Sequence, residues 1–137
     1  MSVHAAFIVA RVGVAAQLRY AATTRAADRG EAGRIGLPGG KVEPGESPAE
    51  AARREALEDG WRIEGDLVLV HLADVEGRLV QWFAPADPDA RAWRIWDHAE
   101  AGRVEPITAT RSQLLVSGYG IRAALAAYRR FRAEQMT

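Results

Sequence analysis

One helix constrains this chain more than any other feature. Ser47 followed by Glu50 three residues on is a capping box, and Pro48 falls at the first helical position. Gly60 supplies the stop. Between them Ala49, Ala52 and Ala56 form an inward stripe with Leu57 beside it, small enough to let the helix pack close to a sheet. The other face is acidic. Glu55, Glu58 and Asp59 stand at i, i+3 and i+4, so the helix brings them to one side. Three like charges there destabilise a bare helix. A divalent cation between them removes the penalty, and oxygen-only ligands suit magnesium, manganese or calcium. Glu50, Arg54 and Glu58 are spaced four apart, so Arg54 is able to pair on either side. Taken singly, each of these charges reads as solvated surface. The set argues otherwise, because its pattern extends upstream in register.

Upstream lie Leu37-Pro38-Gly39, Gly40, Lys41 and Glu46, leading to Arg54-Glu55, Ala56 and Glu58. With these residues, 40–62 resembles the Nudix box, G-x5-E-x7-R-E-U-x-E-E-x-G-U with U aliphatic. Gly40, Glu46, Arg54, Glu55 and Glu58 fill fixed places, and Ala56 is small for an aliphatic one. Asp59 stands where the family has its second Glu, with a carboxylate one methylene shorter. Trp61 stands at the box glycine and Arg62 at the final aliphatic position. A bulky residue suits a left-handed cap poorly. The helix is therefore expected to end one residue early, on Gly60, turning Asp59 slightly from its usual place.

The resemblance implies an α+β fold, an α/β/α sandwich with a mixed central sheet flanked by two main helices. It implies hydrolysis of a phosphoanhydride bond in a nucleoside diphosphate linked to another group, by attack of water on phosphorus with Mg2+ (Mn2+ is an alternative). The substrate is polyanionic, so divalent charge has to neutralise it and lower the pKa of bound water. Carried onto this chain, Glu55, Glu58 and Asp59 are metal ligands, and the Gly40 carbonyl joins them. Arg54 orients the carboxylates and Glu46 supports it. Either Glu55 or Glu58 takes the water proton. Many members use a further glutamate outside the box. Glu100 is the candidate here, ahead of Glu105 and the hairpin-tip Glu76, because it precedes a strand expected at 104–108. His98 has a suitable pKa but stands alone in a loop, while His4 and His71 fall in strand patterns and read as structural.

Trp82, Phe83, Trp93 and Trp96 cluster within a short span, and an aromatic face can stack on a nucleobase. Trp82 and Trp96 are the substrate-binding candidates, with ordinary core packing the plainer reading, especially for Phe83. Arg34 and Lys41 flank the Gly39-Gly40 turn and are placed to meet phosphates. Arg19 and Tyr20 are weaker candidates.

At 137 residues the chain fits one domain, 1–137. Eighteen basic and eighteen acidic residues give a formal net charge of zero, so general nucleic-acid binding is not suggested. Lys41 is the only lysine, and the arginine and alanine content looks like a coding bias. Arg122, Arg129, Arg130 and Arg132 accordingly read as a solvated face rather than an RNA contact. The absence of cysteine excludes disulfides, zinc-thiolate sites and thiol catalysis. The N-terminal apolar run is too short and broken for a membrane span or a signal peptide, so a cytoplasmic protein is expected, with a small-molecule nucleotide as its partner. An apolar sheet edge near the N-terminus leaves homodimerisation open.

Along the chain, 4–12 and 14–20 read as a hairpin turned at Gly13, and 21–33 as an exposed loop. Strands are expected at 67–73 and 79–83, turned by Glu76-Gly77, with a loop at 85–91. A second helix is expected within 118–134, with Ile121, Leu125, Tyr128 and Phe131 on its core side. Two other functions compete with hydrolysis. A nucleotide- or nucleotide-sugar-binding module that has lost catalysis ought to lack acids that this chain keeps. An RNA 5′-end pyrophosphohydrolase calls for a basic channel that zero net charge does not favour.

Overall fold

A computed structural model describes residues 2–12, 19–25, 35–95, 104–116 and 120–135. The proposed turn at Gly13, most of the strand proposed for 14–20, and Arg34, Trp96, His98 and Glu100 lie outside the described residues.

The central sheet is mixed. It runs in the order β4 (Gly39–Lys41), β1 (Val3–Ile8), β7 (Arg78–Pro85), β6 (Leu67–Val75). β1 and β7 are parallel, and the other pairings are antiparallel. β6 and β7 close on a two-residue turn in which Glu76 and Gly77 both take positive φ, 53° and 83°. That backbone twist matches two antiparallel strands. Asp74 Oδ1 accepts the Gly77 N–H at 2.8 Å to fix it.

The sheet is covered on both faces, as its sequence alternation requires. Ala6 and Ile8 of β1 and Phe83 of β7 face α1 (Pro48–Glu58), which contributes Ala52 and Ala56. Ala5 of β1 and Val80, Trp82 and Ala84 of β7 face the opposite way. They pack with Ile121, Ala124, Leu125 and Tyr128 of α3 (Ile121–Gln135). This is the expected helix–sheet–helix layering. A third, five-residue helix, α2 (Arg111–Leu115), stands before α3 and buries Leu114. It opens on a capping box formed by Thr110 and Gln113.

The segment 21–33 is not a loop at its start. β2 (Tyr20–Arg25) is a six-residue strand between β3 (Ile35–Gly36) and β9 (Val104–Ala109). Ala21 and Ala22 are fully buried, so small residues that resemble loop composition are there because a neighbour needs the space. For Ala21 that neighbour is Trp61, which lies in the same core. Its indole Nε1–H donates to the Ala22 carbonyl at 2.8 Å. Trp61 opens β5 (Trp61–Ile63), which pairs with β8 (Ala92–Arg94) as a two-stranded ribbon. Among the described residues, no helix is long and apolar enough to cross a membrane.

Candidate active site

Local sequence builds α1 as expected. Ser47 Oγ accepts the Glu50 N–H and Glu50 Oε1 accepts the Ser47 N–H, each at 3.1 Å. This engages Glu50 at the cap, so Arg54 makes its pairs elsewhere. The helix ends at Glu58, with Asp59 as cap and Gly60 at φ 92°. The early stop has a second cause beside backbone freedom. A Cβ on Gly60 would lie 2.8 Å from Cγ of Pro106 on β9, so the chain passes too close for any side chain.

Arg54 is the centre of the acidic face. Its Nε donates to Glu46 Oε2 at 2.7 Å and its NH2 to Glu46 Oε1 at 3.0 Å, a bidentate fork. Its NH1 donates to Glu55 Oε1 at 3.1 Å and to Glu58 Oε1 at 3.2 Å. Its NH2 also reaches the Lys41 carbonyl at 3.1 Å, fastening the helix to β4. One guanidinium thus hydrogen-bonds three carboxylates and one backbone oxygen, with Glu43 a further ion-pair partner at 3.9 Å. The Glu46 bonds above all hold the Arg54 proton more firmly than usual; burial, the next largest effect, works against them, and the Glu55 and Glu58 bonds add to them. Glu46 is correspondingly held below the ordinary carboxyl range, first by Arg54 and then by the Glu43 N–H.

Glu55 is pressed against the turn. A Cβ on Gly40 would fall 2.6 Å from Cδ of Glu55 and 2.7 Å from its Oε2. The glycine is therefore required because the carboxylate lies directly on its Cα. Asp59 is 8% exposed, and its Oδ2 accepts the Gly39 N–H at 3.3 Å. Gly40, Arg54, Glu55 and Glu58 therefore form one face where β4 meets α1, and Asp59 at the end of the helix is tied to Gly39 of the same strand.

Its donors are carboxylates with a backbone carbonyl nearby, the hard-oxygen chemistry that divalent Mg2+ or Mn2+ takes. Glu55 and Glu58 each direct an oxygen at one nitrogen, so a cation reaching that place would meet both. Among the described residues no three acidic or histidine side chains are drawn together as a closed cage. What neutralises the acids in this arrangement is Arg54.

A sequence model of the NUDIX domain matches residues 5–115. The chain belongs to the Nudix family. Solved structures agree in fold. A NUDIX hydrolase from Nitrosomonas europaea aligns at a TM-score of 0.65 and 18% identity, covering 96% of this chain and 91% of the other. An ADP compounds hydrolase aligns at 0.66 and 20% identity, over 96% of this chain and 73% of the other. A MutT NUDIX hydrolase from Burkholderia pseudomallei aligns at 0.59 and 20% identity, over 93% and 98%. A search among curated proteins finds no significant match. As a Nudix member the chain is a pyrophosphohydrolase acting on nucleotide-linked compounds, and Nudix hydrolases in general use a divalent metal.

Of the residues expected to serve this Nudix site, Gly40, Glu46, Arg54, Glu55 and Glu58 are brought together, Asp59 is buried with its carboxylate on the Gly39 N–H, and Lys41 is exposed beside Arg54. Trp82 is not a surface platform. It is 1% exposed, stacked on Phe7 with ring centroids 6.2 Å apart and tilted on His71 at 5.4 Å, so neither face is free for a base. Among the described residues, the exposed large aromatic is Trp93 on β8, at 50%. Glu76 holds the hairpin tip as expected. Glu105 is exposed on β9, and strand alternation turns it away from the Pro106 face that touches Gly60. The sequence marks Gly39 only as part of the turn. Its role in holding Asp59 and pairing with Phe7 was carried by the Pro-Gly-Gly spacing itself.

Proposed function

We propose that this Nudix domain, spanning 1–137 and acting in the cytoplasm, cleaves a phosphoanhydride bond in nucleoside diphosphate-linked compounds. These include nucleoside and deoxynucleoside triphosphates and their modified forms, and the reaction depends on Mg2+ or Mn2+. The observation that carries this reading is the Arg54-centred face, on which Glu55 and Glu58 share one donor and Glu55 is seated on Gly40.

Glu55, Glu58 and Asp59, with the Gly40 carbonyl, would hold the divalent ion. When bound, that ion supplies charge neutralisation of the diphosphate and acidifies the attacking water. Glu46 and Arg54 keep Glu55 and Glu58 in place, and Arg54 limits their mutual repulsion while the ion exchanges. Glu55 or Glu58 accepts the water proton, Glu58 being the more open to solvent. Lys41, exposed next to the face, and Arg34 supply positive charge to the phosphates.

The test is release of phosphate and pyrophosphate from a panel of nucleotides, with Mg2+ or with chelator, for the parent and Glu58→Gln. The reading predicts turnover that needs the metal and falls by about 10³-fold or more in the variant. Absence of turnover on every compound, with thermal stabilisation by one of them, would replace hydrolysis by nucleotide binding.

A further inference from the structure

One group on the acidic face has its hydrogen bonding complete. A guanidinium carries five N–H donors in one rigid plane, and Arg54 has an acceptor for each. Its Nε–H meets Glu46 Oε2 at 2.7 Å, and its NH2 meets Glu46 Oε1 at 3.0 Å and the Lys41 carbonyl at 3.1 Å. Its NH1 meets Glu55 Oε1 at 3.1 Å and Glu58 Oε1 at 3.2 Å. Because the group is planar, fixing the Nε–NH2 edge on Glu46 and Lys41 fixes NH1 as well. NH1 cannot leave the two glutamates unless that fork also breaks.

One oxygen of each carboxylate is therefore committed to nitrogen. The other oxygen of Glu55, Oε2, lies against Gly40, 2.7 Å from the place a Cβ would take. Both glutamates remain within reach of solvent, the Glu58 side chain 46% exposed and that of Glu55 23%. Cations differ in what such a face can give them. Ca2+ takes about six to eight oxygens and is commonly chelated by both oxygens of a carboxylate. Mg2+ demands a tight octahedron and keeps several waters, and Mn2+ shares its preference for about six oxygens. Acidic composition alone admits all three ions, whereas the hydrogen bonds of Arg54 separate them.

We infer that Arg54 sets the metal selectivity of this face. By holding Oε1 of Glu55 and Oε1 of Glu58 it restricts each carboxylate to offering a cation a single oxygen, which suits Mg2+ and Mn2+ and disfavours Ca2+. The inference rests on the reading of the face as a divalent-cation site and gives Arg54 a part in it beyond neutralising charge. The part is geometric. A lysine keeps the positive charge but presents a compact ammonium with no fork, so it cannot hold Glu46, Glu55 and Glu58 in this arrangement. Glu43, at 3.9 Å from Arg54 NH2, changes the local charge without touching either Oε1.

The experiment follows Mn2+ bound to the whole chain by electron paramagnetic resonance while Mg2+ or Ca2+ displaces it in separate titrations. Parent, Arg54→Gln, Arg54→Lys, Glu43→Gln and Glu58→Gln are compared. In the parent, Mg2+ should displace Mn2+ at lower concentration than Ca2+. The ratio of the Ca2+ midpoint to the Mg2+ midpoint should fall about tenfold in Arg54→Gln and in Arg54→Lys, because both Oε1 atoms are released for chelation. Glu43→Gln should keep the parental ratio. A parental ratio in either Arg54 variant overturns the inference, as does a parent from which Ca2+ displaces Mn2+ as readily as Mg2+ does. A second measurement uses the parent alone, so it stands if the Arg54 variants fail to fold. In 15N-resolved NMR, the Arg54 guanidinium protons should stay hydrogen-bonded when Mg2+ saturates the protein, and their release by Mg2+ overturns the inference. Failure of the underlying reading looks different. A parent that binds no Mn2+, or Glu58→Gln binding it as the parent does, removes the cation site and the inference with it, whereas normal binding with an unchanged ratio removes the inference alone.

Discussion

Gly40→Ala isolates the seating of Glu55. Gly40 does not adopt a left-handed backbone, so alanine is conformationally allowed and even restricts the unfolded chain, worth about 0.4–1 kcal/mol in favour of folding. The cost falls on Glu55. The new Cβ would lie 2.6 Å from its Cδ, whereas ordinary contact begins at 3.4 Å, so the carboxylate has to retreat by roughly 0.8 Å. Its partner Arg54, with NH1 at 3.1 Å, cannot follow freely because the same guanidinium is forked onto Glu46. A displacement near 1 Å in a reacting constellation costs about 10²-fold in rate. Gly40→Ala should therefore lose about 10²-fold in kcat at saturating divalent metal, while Tm stays within about 3 °C of the parent. Gly39→Ala is the contrast. Its Cβ would strike the backbone of Ala6 and Phe7, which cannot move aside, and its φ of 146° is strained for any side chain. That variant should lose stability first. A Gly40→Ala enzyme within threefold of parental kcat, or one that melts as low as Gly39→Ala, would refute the assignment of Gly40 to positioning Glu55.

The Arg54→Gln variant releases Glu46, Glu55 and Glu58 from their shared donor. It should melt lower than the parent and recover part of that loss when Mg2+ is added, read by calorimetry. The folded Glu46 carboxyl lies below its unfolded value of about 4.3, so its contribution is complete above that pH and disappears as pH falls through the lowered folded value. Tm measured from about pH 5 to pH 3 should accordingly fall less steeply in Glu46→Gln than in the parent. Trp61→Phe removes the indole donor to the Ala22 carbonyl and leaves a gap beneath β2, for an expected loss of about 2–4 kcal/mol by denaturant unfolding. A loss under about 0.5 kcal/mol would mean that Trp61 is not what Ala21 of β2 accommodates.

What was legible in the sequence was local. Ser47, Pro48, Glu50 and Gly60 fix the ends of α1 within fourteen residues, and 3.6-residue spacing then places Glu55 and Glu58 on one side. The hairpin at Glu76-Gly77 was readable for the same reason. The misreadings involve distant partners. Ala21 and Ala22 carry no strand signal of their own. They are a strand because β9, some eighty residues on, pairs with them and Trp61 packs above. Trp82 resembles a surface platform only until β7 is seen to be covered on both faces. β5 and β8 are three residues each, too short for a period to show. The capping pair Thr110 and Gln113 is the sequence signal for α2, a helix too short to show a period of its own.

The central claim is that the acidic face of α1 binds a divalent cation, and Mn2+ titration followed by electron paramagnetic resonance tests it without any assumption about substrate. The account predicts saturable Mn2+ binding by the parent that weakens at least tenfold in Glu55→Gln and in Glu58→Gln, with both variants still folded. Mn2+ bound with parental affinity by the two variants, or not bound by the parent at all, would contradict it.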